Sequence, residues 1–175
     1  MNNIKNYSKA NRGKAAQQFV AEIVERYNRK GWAAIQEIAV PVTVTGNCAF
    51  FSKKSTVDFV GMAYNKHVDF DVKSTKERTR FPLSNVEQHQ YEWLEKSWEQ
   101  GSESFILVFF EKLSEWYVVT FPMLKLYWEE WLNGGRASIP IEDMRLYAMP
   151  VREGGKTGLD FLEIVRSNEN SKNLK

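Results

Sequence analysis

With 175 residues, 43% hydrophobic and 14% aromatic, the chain is long enough for one domain that buries roughly two thirds of its unfolded surface. Its net charge of +2 on 26% charged residues fits a soluble globular protein and is too small by itself to signal a nucleic-acid partner. The single cysteine, Cys48, excludes an internal disulfide and a Cys-based zinc site, and no apolar run approaches the roughly 20 residues of a membrane-spanning helix. The opening MNNIKNYSKANRGK is polar throughout, unlike a secretory leader, so a soluble cytoplasmic protein with no membrane partner is expected.

Residues 1–10 read as a flexible start. Phe19, Val20, Ile23, Val24 and Tyr27 then recur at helical spacing, which predicts a helix over 11–27 with Gly31 just past its end. The segment AAIQEIAVPVTV (33–44) is rich in β-branched residues and predicts a strand interrupted at Pro41, followed by a loop over 45–54 that closes on Lys53 and Lys54. Residues 57–63 and 67–74 predict a hairpin about a polar turn at 64–66. Ser84 and Glu87 have capping-box spacing, with Leu83 as the hydrophobic staple, and open a helix that Gly101 ends. The inner face of that helix is expected to carry Val86, Gln90, Trp93, Leu94 and Ser97.

SFILVFF (104–110) is a continuous apolar run, which predicts a central strand covered on both faces. EKLSE turns it back into WYVVTF (116–121), Pro122 opens a short helix, and Gly134–Gly135 stops it. A last strand is expected near 159–165 and an unstructured polar tail over 167–175. No internal repeat or boundary interrupts 11–166, which reads as a single α/β (α+β) domain, a mixed sheet flanked by helices.

The chemistry concentrates in the hairpin. Its second strand, HVDFDVKS, alternates Val68, Phe70 and Val72 with His67, Asp69, Asp71 and Lys73. A two-residue loop at Tyr64–Asn65 sets Asp58 opposite Asp71; a loop at Asn65–Lys66 sets it opposite Lys73. In either register Asp58, Asp71 and Lys73 share one sheet face, because directly opposed residues do. Two close carboxylates repel unless a cation or proton lies between them. Mg²⁺ is held in this way, by one or two carboxylates, with water and phosphate oxygens completing its shell. Lys73 would then place the attacking water or neutralise the phosphate. The alternative is a solvated strand face with a cross-strand ion pair of little energetic consequence. Two neighbours bear on the choice. Lys53, Lys54, Lys76, Arg78 and Arg80 surround the hairpin with positive charge suited to flanking phosphates. Gln90 occupies an inward helix slot where an apolar residue is expected.

Other patterns carry less. GGKTG (154–158) lacks the earlier glycine of a phosphate loop, since position 150 is Pro150. His67 and His89 have no partners at zinc-ligand spacing. The six tryptophans fall mostly at core positions.

NRGK (11–14), STVDFVG (55–61), VDFDVKSTK (68–76), FPL (81–83), HQ (89–90), NGGRASIP (133–140) and LDFLEIV (159–165), taken in order, resemble the RecU family of Holliday junction resolvases. The resemblance implies the restriction-endonuclease-like PD-(D/E)xK nuclease fold. It further implies Mg²⁺-dependent cutting of four-way DNA junctions by a homodimer, with Mn²⁺ as a substitute. By that resemblance Asp58 and Asp71 are metal ligands, with the Val72 carbonyl as an added one. Lys73 is the catalytic lysine and Gln90 an active-site or DNA-contacting residue. Arg12, Lys14, Lys76 and Arg80 are the expected contacts to the DNA backbone. Three departures stand out. Asp71 replaces the family's usual Glu. Gln17 occupies an acidic position of the first helix, with Glu22 one turn further on as a substitute. The stalk before the STVD segment is confined to 41–54, as in a compact phage-type member. The function so implied is a structure-selective junction endonuclease of recombination and repair. Its alternatives are a general nuclease of the same fold and a non-catalytic DNA-binding recombination factor.

Overall fold

Three phenylalanines in register on neighbouring strands, Phe59, Phe70 and Phe105, stack with centroids 4.9 and 4.8 Å apart and form the spine of the central sheet. The computed structural model describes residues 9–39, 42–45, 48–51 and 56–170. The chain opens with α1 (Lys9–Arg29), β1 (Ala33–Glu37), β2 (Val42–Thr45), β3 (Cys48–Phe51), β4 (Phe59–Ala63) and β5 (Lys66–Thr75). It continues through β6 (Arg80–Pro82), a 3₁₀ turn (Leu83–Asn85), α2 (Gln88–Glu99), β7 (Glu103–Phe110), β8 (Glu115–Thr120) and α3 (Phe121–Leu132). It closes with β9 (Ser138–Pro140), α4 (Ile141–Tyr147), β10 (Met149–Val151), β11 (Glu153–Gly154), β12 (Gly158–Leu159) and α5 (Glu163–Asn170).

The main sheet has the order β1-β4-β5-β7-β8-β10, in which β5 and β7 are parallel and the other neighbours antiparallel. A parallel pair needs a crossover, and the segment bearing α2 provides it. Strand alternation sends Phe70, Val72, Phe105 and Leu107 to one face, where Val20, Ile23, Val24 and Tyr27 of α1 cover them. Ile106, Val108 and Phe110 go to the other, against Leu94 of α2 and Leu124 and Trp128 of α3. This is the mixed sheet flanked by helices that the sequence predicts. No helix among the described residues is long and apolar enough to cross a membrane.

Several local expectations need correction. Helix α1 begins two residues early, at Lys9, and runs to Arg29. The expected loop over 45–54 contains β3, which pairs with β2 in a separate antiparallel ribbon. Helix α2 begins at Gln88 rather than Ser84: Leu83–Asn85 is a 3₁₀ turn, and Val86 is extended (φ −97°, ψ 122°), which carries its side chain into the core. The capping box is therefore Glu87 with Gln90. The buried face of α2 is Gln90, Tyr91 and Leu94, while Trp93 is 40% exposed. The strand expected over 159–165 is instead the short β12, a turn and the start of α5. Phe161, Leu162 and Val165 are fully buried, and their i, i+1, i+4 spacing is that of a helix face. Helix α5 extends over 163–170 and so includes the first residues of the expected tail; 171–175 lie outside the described residues.

Candidate active site

The hairpin turn fixes the register. Tyr64 and Asn65 both have positive φ (48° and 61°), the signature of a two-residue type I′ turn, so Ala63 pairs with Lys66 and Phe59 with Phe70. One step on, Asp58 faces Asp71, the first of the two registers considered above. Strand β4 starts only at Phe59, whereas β5 continues to Thr75 and stays paired with β7 along that whole length. Past Phe70 the β4-side edge of β5 therefore has no strand partner among the described residues. Asp58 turns into that gap: its carbonyl accepts the Ile38 N–H (2.8 Å) and its Oδ2 accepts the Val72 N–H (2.8 Å). The opening is the rim of a cavity of about 680 Å³, lined among others by Lys14, Gln17, Asp58, Val72, Lys73 and Lys76.

On the α2 face of β5, Asp71 is fully buried and its Oδ2 is in ion-pair contact with the Lys73 ammonium, which is not aligned as a hydrogen bond. Gln90 ties the pair together. Its Nε2 donates to Asp71 Oδ1 (3.2 Å), while its Oε1 accepts from Lys73 Nζ (2.8 Å) and from the Glu87 N–H (3.0 Å). The same amide thus caps α2 and orients the lysine. The face read as open to solvent is covered by α2, so the solvated-strand alternative does not hold.

Burial, and next the charge of Asp71, push the Asp58 carboxyl up to about 8, against the downward pull of the Val72 N–H and Lys73. Asp58, whose carboxyl is pushed up beside the buried Asp71, makes with it a pair of close acids poised to take a cation between them. The donor set fits a hard divalent ion: two carboxylates beside an open cavity with room for water and phosphate oxygens. No cluster of three or more His, Cys, Asp or Glu side chains occurs among the described residues, so protein carboxylates alone would fill only part of a metal's shell.

Asp58, Asp71, Lys73 and Gln90 are brought together. Lys14 and Lys76 reach the cavity, Arg80 is exposed at the start of β6, and the Arg12 side chain, like Lys53 and Lys54, lies outside the described residues. Gln17 lines the cavity and donates through Nε2 to Glu37 Oε1 (2.8 Å). Glu22, the substitute considered for it, is exposed and is not among the lining residues. Glu37 is a carboxylate that the sequence reading missed: it lies 20 residues from Gln17, and only the packing of α1 against β1 brings the two together. The GGKTG segment forms the tight turn between β11 and β12, where Arg26 donates to the Thr157 carbonyl (3.0 Å).

A mixed sheet flanked by helices, with two carboxylates and a lysine at its central hairpin under a crossover helix that supplies a glutamine, is an arrangement of the mixed α/β class. Within that class the chain belongs to the Recombination protein U (RecU) family, whose profile matches residues 11–167. It is 29% identical over 166 residues to the Holliday junction resolvase RecU of Geobacillus sp. (strain WCH70), spanning 89% of this chain and 83% of that protein. It is 34% identical over 117 residues to the Holliday junction resolvase RecU of Listeria innocua, spanning 67% of this chain and 58% of that one. Among solved structures it is similar to Archaeoglobus fulgidus Hjc, a Holliday junction resolvase, with a TM-score of 0.46 and 15% identity over 76% of this chain and 93% of the other.

Proposed function

We propose that this chain is a metal-dependent endonuclease that resolves four-way DNA junctions. In this reading residues 11–166 act as one nuclease domain, Mg²⁺ is the metal with Mn²⁺ as a substitute, and the working unit is a cytoplasmic homodimer. The observation that supports it best is the convergence of Asp58, Asp71, Lys73 and Gln90 at the unpaired edge of β5, beside an open cavity.

Asp58 and Asp71 would hold the metal, with the Val72 carbonyl as a further oxygen. The ion, when bound, supplies Lewis-acid activation of the phosphate and of water. Lys73, fixed by Gln90 Oε1, places a positive charge beside Asp71, where it orients the attacking water and offsets charge on the phosphoryl oxygens. Asp58, whose carboxyl holds its proton into the neutral range, must release it before acting as a ligand. Lys14 and Lys76 at the cavity, with Arg12 and Arg80 nearby in sequence, take the flanking phosphates.

The test is a labelled synthetic four-way junction beside a matching linear duplex, each with Mg²⁺ or EDTA. Paired, metal-dependent nicks confined to the junction are expected. Asp58→Asn and Asp71→Asn should remove cleavage while leaving junction binding intact. Equal cutting of both substrates would leave a general nuclease, and normal cutting by both variants would refute the site.

A further inference from the structure

Asp69 is a buried charge that the site described above does not use. It lies on the same face of β5 as Asp71 and Lys73, two residues before Asp71, yet it is fully buried and does not line the cavity. Three hydroxyls converge on its Oδ1: Ser97 of α2 (2.9 Å), Ser104 of β7 (2.8 Å) and Ser102 of the α2–β7 connection. His67 Nδ1 stands 4.0 Å from the same oxygen and 3.0 Å from Ser102 Oγ. Among the described residues, Oδ2 has no hydrogen-bond partner.

Burying a carboxylate among neutral donors, with one oxygen left over, is costly where an aliphatic residue would pack without penalty. What that arrangement provides is geometry. Ser104 is the direct neighbour of Asp69 on β7, whereas Ser97 and Ser102 sit 28 and 33 residues away, at the C-terminal end of α2 and just after it. Gln90 lies two helical turns before Ser97 and contacts Asp71 and Lys73. The helix is thus pinned to β5 at both ends, by Asp69 at one and by the Asp71–Lys73 pair at the other. A rigid helix held at its far end fixes where the near end can lie.

We propose that Asp69 is a positioning residue: through Ser97, Ser102 and Ser104 it fixes α2 on the sheet and thereby holds the Gln90 amide in register with Asp71 and Lys73. This rests on the active-site reading above, with Gln90 as the group through which Asp69 acts. A carboxylate serving only the core would affect stability and leave the effect of Gln90 untouched.

The experiment compares Asp69→Ala, Ser97→Ala, Gln90→Ala, Asp58→Asn and the double variant Asp69→Ala/Gln90→Ala in single-turnover cleavage of a four-way junction. Junction Kd, thermal midpoint and amide exchange along α2 in the metal-free protein are measured alongside. Asp69→Ala and Gln90→Ala should each slow cleavage about tenfold or more with Kd unchanged, and the double variant should be no slower than Gln90→Ala, because coupled residues are not additive. Ser97→Ala removes one hydroxyl and should keep its fold, speed amide exchange in α2, and slow cleavage by a smaller factor. It therefore decides the matter if Asp69→Ala unfolds. Multiplicative loss in the double variant, or wild-type rates in Ser97→Ala and Asp69→Ala while Asp58→Asn is inactive, would overturn the role of Asp69 alone. Normal cutting by Asp58→Asn would overturn the active site itself and this inference with it.

Discussion

At the scale of single residues, Asp58 links the metal-free protein's stability to pH. Its carboxyl is raised from 3.8 in an unperturbed chain to about 8 in the fold, first by burial and then by Asp71. The folded state therefore holds a proton that the unfolded chain has released across this window, and the sign follows from linkage. Stability falls as pH rises from about 4 to 8, and the penalty is absent below the lower value. Asp58→Asn mimics the neutral acid, so it should be more stable than wild type by about 1–3 kcal/mol at pH 8 and equal to it near pH 4. Urea unfolding of the two proteins in EDTA across that range measures the difference. A variant less stable than wild type at pH 8 would mean that the repulsion between Asp58 and Asp71 is not felt. Added Mg²⁺ should raise the wild-type midpoint at pH 8 and leave that of the variant nearly unmoved, because only a ligand that binds the folded state stabilises it.

At the scale of elements, the placing of Asp58 depends on how closely β1 approaches β4. A Cβ on Gly61 would stand 2.2 Å from the Ala34 carbonyl oxygen and 2.6 Å from Ile35 Cα, both backbone atoms that cannot rotate aside. Gly61→Ala should therefore push β1 off β4 and cost about 1–3 kcal/mol, seen as a lower urea midpoint with an unchanged slope. An unshifted midpoint would show that β1 is free to slide. How legible each element was in the sequence follows from where its information lies. The hairpin was readable because the alternation in β5, and a turn whose two residues adopt positive φ, are local. The start of α2 was not, because Ser84–Glu87 satisfies the capping pattern as well as Glu87–Gln90 does. What excludes the first is tertiary: Val86 must be extended to bury its side chain. The segment LDFLEIV reads as a strand by composition, yet Phe161 and Leu162 sit in a turn and Val165 in the first turn of α5, all three filling the core beside Tyr27 and Phe70. The candidate site residues Asp58, Asp71 and Lys73 were legible from two strands and one turn. The Asp69–serine cluster and the Gln17–Glu37 bond were not, because each joins residues at least 20 positions apart whose proximity only the packing of helices on the assembled sheet creates.

At the scale of the whole molecule, the candidate active site and the β2–β3 ribbon belong to different sheets. The carboxylates and Lys73 belong to β5 and the residues flanking β4, inside the six-stranded sheet. The β2–β3 ribbon, four residues per strand, is a sheet of its own that shares no strand with it. The ribbon occupies the stretch where a stalk is expected, directly before the segment that carries Asp58, so we expect it to contribute to the choice of a branched substrate. Replacing residues 42–51 by a short Gly-Ser linker should then leave the thermal midpoint nearly unchanged, since no strand of the main sheet is lost. It should also preserve metal-dependent cutting, since Asp58, Asp71, Lys73 and Gln90 keep their contacts. What should fall is the ratio of junction cleavage to linear-duplex cleavage, by about tenfold if the ribbon contributes on the order of 1.4 kcal/mol of preference for the branch. Binding measured over a range of salt separates the two contributions. Contacts from Lys14 and Lys76 to phosphates give a salt slope that survives the deletion, whereas the junction-specific part is lost at every salt concentration. An unchanged cleavage ratio would place junction selectivity in the paired protomers, and loss of all cutting would mean that the ribbon is needed to seat Asp58.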